Sequence, residues 1–254
     1  MMEAKQRSEE VAGLSPAEVI TFLVSQTDLL PCCDDIKQVL SEGAVDELLM
    51  DAPSAIIDDR GHLTERHATS EEREKRERLR LFGQLLDVRY LPIVHKVILG
   101  AIKAEKLSID ALREHLLQKS WLGKDIEGQS PTKGRRHYRW WDLLEPSLIG
   151  YFEKAKQWLT DPSHVPNLIV EIDSLTMKFE GMLRDLLRRS GVPTFQQKRQ
   201  DHGLTEEKYV GKLLDTEDAK RIFSGDDLLF LQFLLTEDTG YDLRNRIAHC
   251  LLLR

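Results

Sequence analysis

Residues 168–190 read LIVEIDSLTMKFEGMLRDLLRRS. Leu168, Ile172, Leu175, Phe179, Met182 and Leu186 recur at steps of four and three, which lines them along one side of an α-helix. Gly191 and Pro193 follow as stop signals. Leu is abundant elsewhere, while Val, Thr, Tyr and Phe are sparse, so the whole chain leans towards an all-α fold. No alternating run of useful strand length and no internal repeat is found.

Working outward, Trp141 to Leu159 reads as a helix ending near Asp161-Pro162. Before it, residues 121–140 hold Gly123, Gly128, Pro131 and Gly134 in a polar stretch, the best candidate linker. It separates an N-terminal helical region, 1–120, from a C-terminal bundle, 141–254. In the N-terminal region, residues 1–14 read as a frayed arm. Ser15-Pro16-Ala17-Glu18 then opens a helix to about Leu30 with a capping box. A second helix fits Asp34 to Met50, and 51–69, with Pro53 and Gly61, reads as a loop. From Ser70 a helix rich in opposite-charge pairs runs to about Lys106, bent or restarted at Pro92. Its charge run reads as a solvated face. Ser108 caps a short helix to about Lys119. Downstream, helices fit Glu206 to Leu214 and Asp226 to Leu235, and a last one begins near Tyr241 and runs to the chain's end.

The chain has 254 residues and a formal net charge of -7, which argues against coating nucleic acid through a broad positive surface but leaves room for a local basic site. Three cysteines, Cys32, Cys33 and Cys250, make no disulfide framework, and zinc-finger spacing is absent. They read as reduced thiols in a cytosolic protein. The N-terminus lacks the apolar run of a signal peptide, and no stretch reaches the ~20 apolar residues that span a bilayer. His62, His67 and His95 are scattered and read as structural or exposed.

The chemistry concentrates in Arg244-Asn245-Arg246-Ile247-Ala248-His249. With Leu243 at zero and steps of 100°, Ile247, Cys250 and Leu251 fall within about 80° of it and form an apolar stripe. Asn245 and His249 share the opposite side. Histidine can move protons near neutral pH. A guanidinium can grip a phosphate with two hydrogen bonds and stabilise charge built up during transfer. RNA brings its own nucleophile, the 2′-hydroxyl. Arg244 and His249 lie about 140° apart on an ideal helix, so one copy aims them poorly at one atom. That favours a site shared across a two-fold axis.

Arg-Asn-x-x-Ala-His resembles the Arg-x(4–6)-His motif of HEPN domains (higher eukaryotes and prokaryotes nucleotide-binding). The similarity extends to Phe179-Glu180-Gly181-Met182-Leu183-Arg184-Asp185-Leu186-Leu187, to Gly191-Val192-Pro193-Thr194 and to Gly240-Tyr241-Asp242-Leu243, covering roughly residues 165–254. It looks like a branch long described as a domain of unknown function. There the motif usually ends Ala-His-Gly; here Cys250 replaces the Gly. Relatives usually continue further, so the chain is expected to be shortened or a short family member. The resemblance implies a helical bundle that pairs through its motif helices. It further implies metal-independent RNA cleavage without a cofactor, in a toxin, phage-defence or RNA-processing setting. Arg244 and His249 would be catalytic, with Asn245 orienting one of them. The alternative it leaves is a dimerising or nucleotide-binding module without cleavage. A third option is a subunit that binds an antitoxin or another defence-system protein.

Two further groups accompany the motif. Glu180 and Arg184 are four apart, in the favoured order for a helix ion pair, and could also form a second layer around the site. Lys133, Arg135, Arg136 and Arg139 run among His137, Tyr138, Trp140 and Trp141. Such a run is either a solvated basic loop leading into a helix with core tryptophans or a patch that holds RNA phosphate and stacks bases.

Overall fold

The computed structural model describes residues 2–25, 29–42, 54–57, 63–67, 70–130, 134–197 and 203–249. It is predominantly helical. The first element is α1 (Met2–Ala12), where a frayed arm was expected. Its sequence is mostly polar, so periodicity carries little signal. Val11, at its end, is wholly buried and anchors it. α2 (Pro16–Ser25) starts at the capping box: Ser15 N–H donates to Glu18 Oε2 at 2.8 Å, and Glu18 N–H to Ser15 Oγ at 3.4 Å. α3 (Cys33–Glu42) follows, and the expected continuation to Met50 lies outside the described residues.

Residues 51–69, expected as loop, contain β1 (Ser54–Ile57) and β2 (Leu63–His67), paired antiparallel. α4 (Ser70–Leu85) runs into a π-helical turn, Leu86–Tyr90, and then α5 (Leu91–Lys103). Leu91 N–H reaches Leu86 O, one residue further back than in an α-helix. The wide turn sits just before Pro92, whose nitrogen has no hydrogen to donate. α6 (Ile109–Lys119) is capped by Ser108, whose Oγ accepts from Ala111 N–H at 3.2 Å.

Within 121–140 the chain forms a short 3-10 turn and a hairpin, β3 (Ile126–Ser130) with β4 (Gly134–Tyr138). Ile126 is buried where it pairs with Tyr138. α7 (Trp140–Thr160) and α8 (Ile169–Arg189) then pack as an antiparallel pair. A hairpin of β5 (Phe195–Gln197) and β6 (Thr205–Glu207) precedes α9 (Val210–Leu214) and α10 (Glu217–Ile222). A helix from Glu206 was expected there. Instead Glu206 takes a hydrogen bond from Gln196 across the hairpin, at 2.8 Å, and the helix waits until Val210. α11 (Gly225–Leu235) has a capping box built by Ser224 and Asp227. α12 (Leu243–Ala248) closes at His249. The expected run to the chain's end, with Cys250 and Leu251, lies outside the described residues.

Three apolar clusters hold these elements. One joins α1, α2, α5 and α7 around Val19, Val97, Ile102 and Phe152. A second joins α8 to α11 around Leu187, Leu213, Leu214 and Leu235. The third joins α3, α4 and the π turn to Phe233 of α11. Wholly burying one such side chain contributes about 1.5–3 kcal/mol.

α8 departs from the simple stripe. Its most buried positions are Glu171, Thr176, Glu180, Leu183, Asp185 and Leu187, while Ile172 is 37% exposed and the rest of the expected stripe is half-buried. α8 has α7 on one side and α12 on another, so burial is not confined to one apolar strip. Each buried carboxylate has a cationic or N–H partner. Glu171 takes two 2.7 Å hydrogen bonds from Lys154 Nζ. Asp185 accepts from Trp140 Nε1 at 3.1 Å and pairs with Arg188 and Arg189.

Candidate functional site

The segment that carries the motif is set by its approach. Gly240 passes so close to α11 that an added Cβ would stand 2.1 Å from the Phe233 carbonyl oxygen. Tyr241 N–H donates to that same oxygen at 2.9 Å, and its ring meets Phe233 edge-on at 5.1 Å. The Tyr241 hydroxyl donates to Asp87 in the π turn. Lys75 of α4 reaches Glu237 of the same connection at 2.7 Å. The N-terminal helices therefore grip the loop just ahead of α12.

Asp242 takes a left-handed conformation, φ 45°, and α12 begins after it. Asn245 Nδ2 donates to Asp242 Oδ1 at 2.8 Å, and Arg244 Nη1 donates to Asn245 Oδ1 at 3.2 Å. His249 N–H closes the helix on Asn245 O at 3.0 Å. Asn245 thus touches both motif neighbours, one through its side chain and one through its backbone. The His249 side chain is exposed, at the helix end.

Arg244 points to α8. Its Nε lies 3.4 Å from Glu180 Oε2, and its guanidinium sits over the Tyr209 ring at 5.6 Å. Glu180 Oε1 accepts from Arg184 Nη2 at 2.6 Å. Arg184 also donates to Lys208 O and lies 3.5 Å from Glu207. Glu180 thus stands between two guanidiniums with only 9% of its side chain exposed. Its Oε2 is buried and makes no hydrogen bond among the described residues, so the approach of Arg244 is an ion pair without hydrogen-bond alignment. Arg184 and Arg244 are 17% and 28% exposed, so water can reach them if the carboxylate is lost. Glu180→Ala is accordingly expected to lower stability by about 2–3 kcal/mol, below the range for a fully buried pair. Chemical denaturation would measure it, and a loss under about 0.5 kcal/mol, the scale of a surface pair, would contradict this placement.

Burial raises the Asp242 carboxyl above its usual range, against the Asn245 amide and the Arg246 charge, which lower it. Its folded value exceeds its unfolded one, so this contribution to stability is full below the unfolded value and is lost as pH rises through the folded value. Asp242→Asn keeps an oxygen for the Asn245 amide and removes the half-buried charge. It is expected to raise the melting temperature at neutral pH and to change little in acid. Thermal melts at the two pH values would measure this, and equal shifts at both would contradict it.

The basic run divides. Arg139 makes two 2.9 Å hydrogen bonds to Asp142. Arg135 and Arg136 lie on β4, opposite Gln129 and Gly128, and Lys133 lies outside the described residues. Their neighbours Tyr138 and Trp140 face a cleft of about 340 Å³ that Glu180 and Arg184 also line. The sequence reading did not anticipate this cleft. The signal was Gly181, one turn from Arg184: a Cβ there would meet the Trp140 ring at 2.7 Å.

Away from the motif, the His95 ring stacks on Trp158 at 5.1 Å. Cys33 is half-buried, and burial, with Asp226 beside it, pushes its thiol up to about 11. Among the described residues no three His, Cys, Asp or Glu side chains gather as metal ligands. Among them, too, no helix is long and apolar enough to cross a membrane. No protein-family model, curated protein or solved structure matches the chain.

Proposed function

We propose that this chain is a HEPN-type endoribonuclease that cleaves RNA without metal as a homodimer, in the cytosol, in a toxin or phage-defence setting. The observation that supports it best is Glu180. A buried carboxylate holds Arg244, and Arg184 beside it, while His249 stands exposed at the far end of the same short helix. The motif helix thus presents a positioned cation and an accessible proton-transfer group. Two copies would supply two of each. One His249 takes the proton of the 2′-hydroxyl, whose oxygen attacks phosphorus. The bond to the 5′-oxygen breaks, and the second His249 gives that oxygen a proton. The products are a 2′,3′-cyclic phosphate and a 5′-hydroxyl. Arg244 stabilises the pentacoordinate phosphate.

A second reading is a non-catalytic dimerising or RNA-binding module. It is favoured by the commitment of the Arg244 guanidinium to Glu180 and Tyr209. The deciding assay incubates single-stranded RNA with the protein in EDTA, identifies the new ends and measures the mass in solution. Cyclic-phosphate ends from a species of twice the chain mass support the nuclease. Intact RNA bound by that species supports the module.

A further inference from the structure

We propose that the cleft between the β3–β4 hairpin and α8 is a pocket for one nucleobase of single-stranded RNA, and that it takes amino-bearing bases in preference to uracil. The inference rests on the RNA reading above and adds the site that would choose the cleavage position.

The cleft, about 340 Å³, lies in the size range of small-ligand sites. Its floor is the Trp140 ring, 7% exposed and fixed by its N–H bond to Asp185 at 3.1 Å. Gly181 lets that ring lie against α8, since a Cβ would meet it at 2.7 Å. The Tyr138 ring stands edge-on to it, at 5.7 Å and 85°. Met177 also lines the cleft and is 51% exposed. With Trp140 buried beneath them, the half-buried Tyr138 ring and the Met177 thioether make the surface that a base can cover, and stacking on an aromatic side chain is worth about 1–3 kcal/mol per base.

The charges around the cleft choose the part of the nucleotide that enters. Its lining carries the carboxylates Glu180, Asp185 and Glu207 against the guanidiniums Arg184 and Arg188. Glu180 and Asp185 also hold Arg244 and Arg189 just outside the cleft, so its inner cations are already matched by carboxylates and no spare positive charge is left there to draw in a phosphate. A neutral base needs none. Glu180 and Asp185 are buried and engaged, whereas Glu207 is 61% exposed and only loosely paired, 3.5 Å from Arg184. A free carboxylate oxygen accepts from the exocyclic amino group of cytosine, and by the same chemistry from that of adenine or guanine. Uracil offers a carbonyl there. Arg188 pairs with Asp185 but is 57% exposed, so the rest of its guanidinium can reach the phosphate beside the base. The cleft also shares a wall with the catalytic proposal, because Glu180 lines it and holds Arg244.

The test uses the full chain and short labelled oligomers of 2′-O-methyl adenosine, cytidine or uridine, whose blocked 2′-oxygen prevents cleavage. Fluorescence anisotropy is expected to show adenosine or cytidine oligomers binding at least about ten-fold tighter than the uridine one. Glu207→Gln, which can offer an N–H to the uracil carbonyl, is expected to erase the preference. Met177→Glu, a change at an exposed position, is expected to weaken the adenosine and cytidine oligomers about ten-fold with an unchanged melting temperature. Equal binding of the three oligomers, no binding, or unchanged affinity in Met177→Glu would overturn the pocket. The outcomes separate from those of the nuclease assay. Base preference without cleavage in EDTA keeps the pocket and removes the nuclease. Cleavage with no base preference does the reverse.

Discussion

His249→Ala is expected to reduce RNA cleavage in EDTA by about a hundred- to ten-thousand-fold, the range that a positioned proton-transfer group supplies. The fold should not change. The imidazole is exposed at the C-terminal end of a six-residue helix. The favourable interaction of a cation with a helix terminus is worth only about 0.3–1 kcal/mol. A large loss of rate beside a melting temperature within a few degrees of wild type therefore isolates the chemistry. Arg244→Ala gives a mixed result. It removes the guanidinium from the phosphate and leaves Glu180, with a buried and poorly bonded oxygen, facing no partner on that side. Lost rate and lost stability are expected together, as for any buried charge stripped of one partner. The order of the variants is thus informative: His249→Ala inactive and stable, Arg244→Ala inactive and weakened. Cleavage by His249→Ala at the wild-type rate would remove the imidazole from the mechanism and leave the binding module.

Local chemistry made much of this fold legible. The capping box at Ser15, the Ser108 cap and the stop at Gly191-Pro193 each fix a boundary through atoms a few residues apart, and α2, α6 and α8 start or stop there. Signals that depend on distant partners were not legible. α1 has little amphipathic pattern, and Val11 counts only because α2, α5 and α7 surround it. The β3–β4 hairpin is polar and glycine-rich, so it reads as linker; its order comes from strand pairing and the burial of Ile126. The stripe on α8 was visible, but three of the six most buried positions of that helix are carboxylates, whose partners include Lys154, Trp140 and Arg244. Periodicity ranks carboxylates as exposed, and only tertiary pairing buries them. For the site, the motif residues and the Glu180–Arg184 spacing were visible along the chain. The 3.4 Å approach of Arg244 to Glu180 and the cleft beside them join segments far apart in sequence.

Gly240→Ala is expected to destabilise the protein by about 3–5 kcal/mol, a large share of the 5–15 kcal/mol that holds a typical domain. The obstacle is backbone, which cannot rotate away as a flexible side chain would. The new methyl group would stand 2.1 Å from the Phe233 carbonyl oxygen and 2.8 Å from its carbon. The connection before α12 must then lift. Forcing an extra methyl into packed surroundings costs about 1–3 kcal/mol. Lifting also breaks the 2.9 Å bond from Tyr241 N–H to Phe233 O, worth about 0.5–1.5 kcal/mol, and parts the Tyr241 and Phe233 rings, worth a similar amount. Gly191→Ala is the control. Gly191 has a left-handed φ of 84° but open space around it, so only backbone strain of about 1–2 kcal/mol is expected. The two variants also differ in reach. Phe233 packs on Phe82 of α4, and the Tyr241 hydroxyl is bonded to Asp87 in the π turn, so a lifted connection loosens the hold of the N-terminal helices on the motif helix. Hydrogen exchange across residues 236–249 should therefore rise sharply in Gly240→Ala and stay near wild type in Gly191→Ala. Similar melting temperatures and exchange in both would show that the chain can pass Phe233 by another route, and that the motif helix is not held from this side.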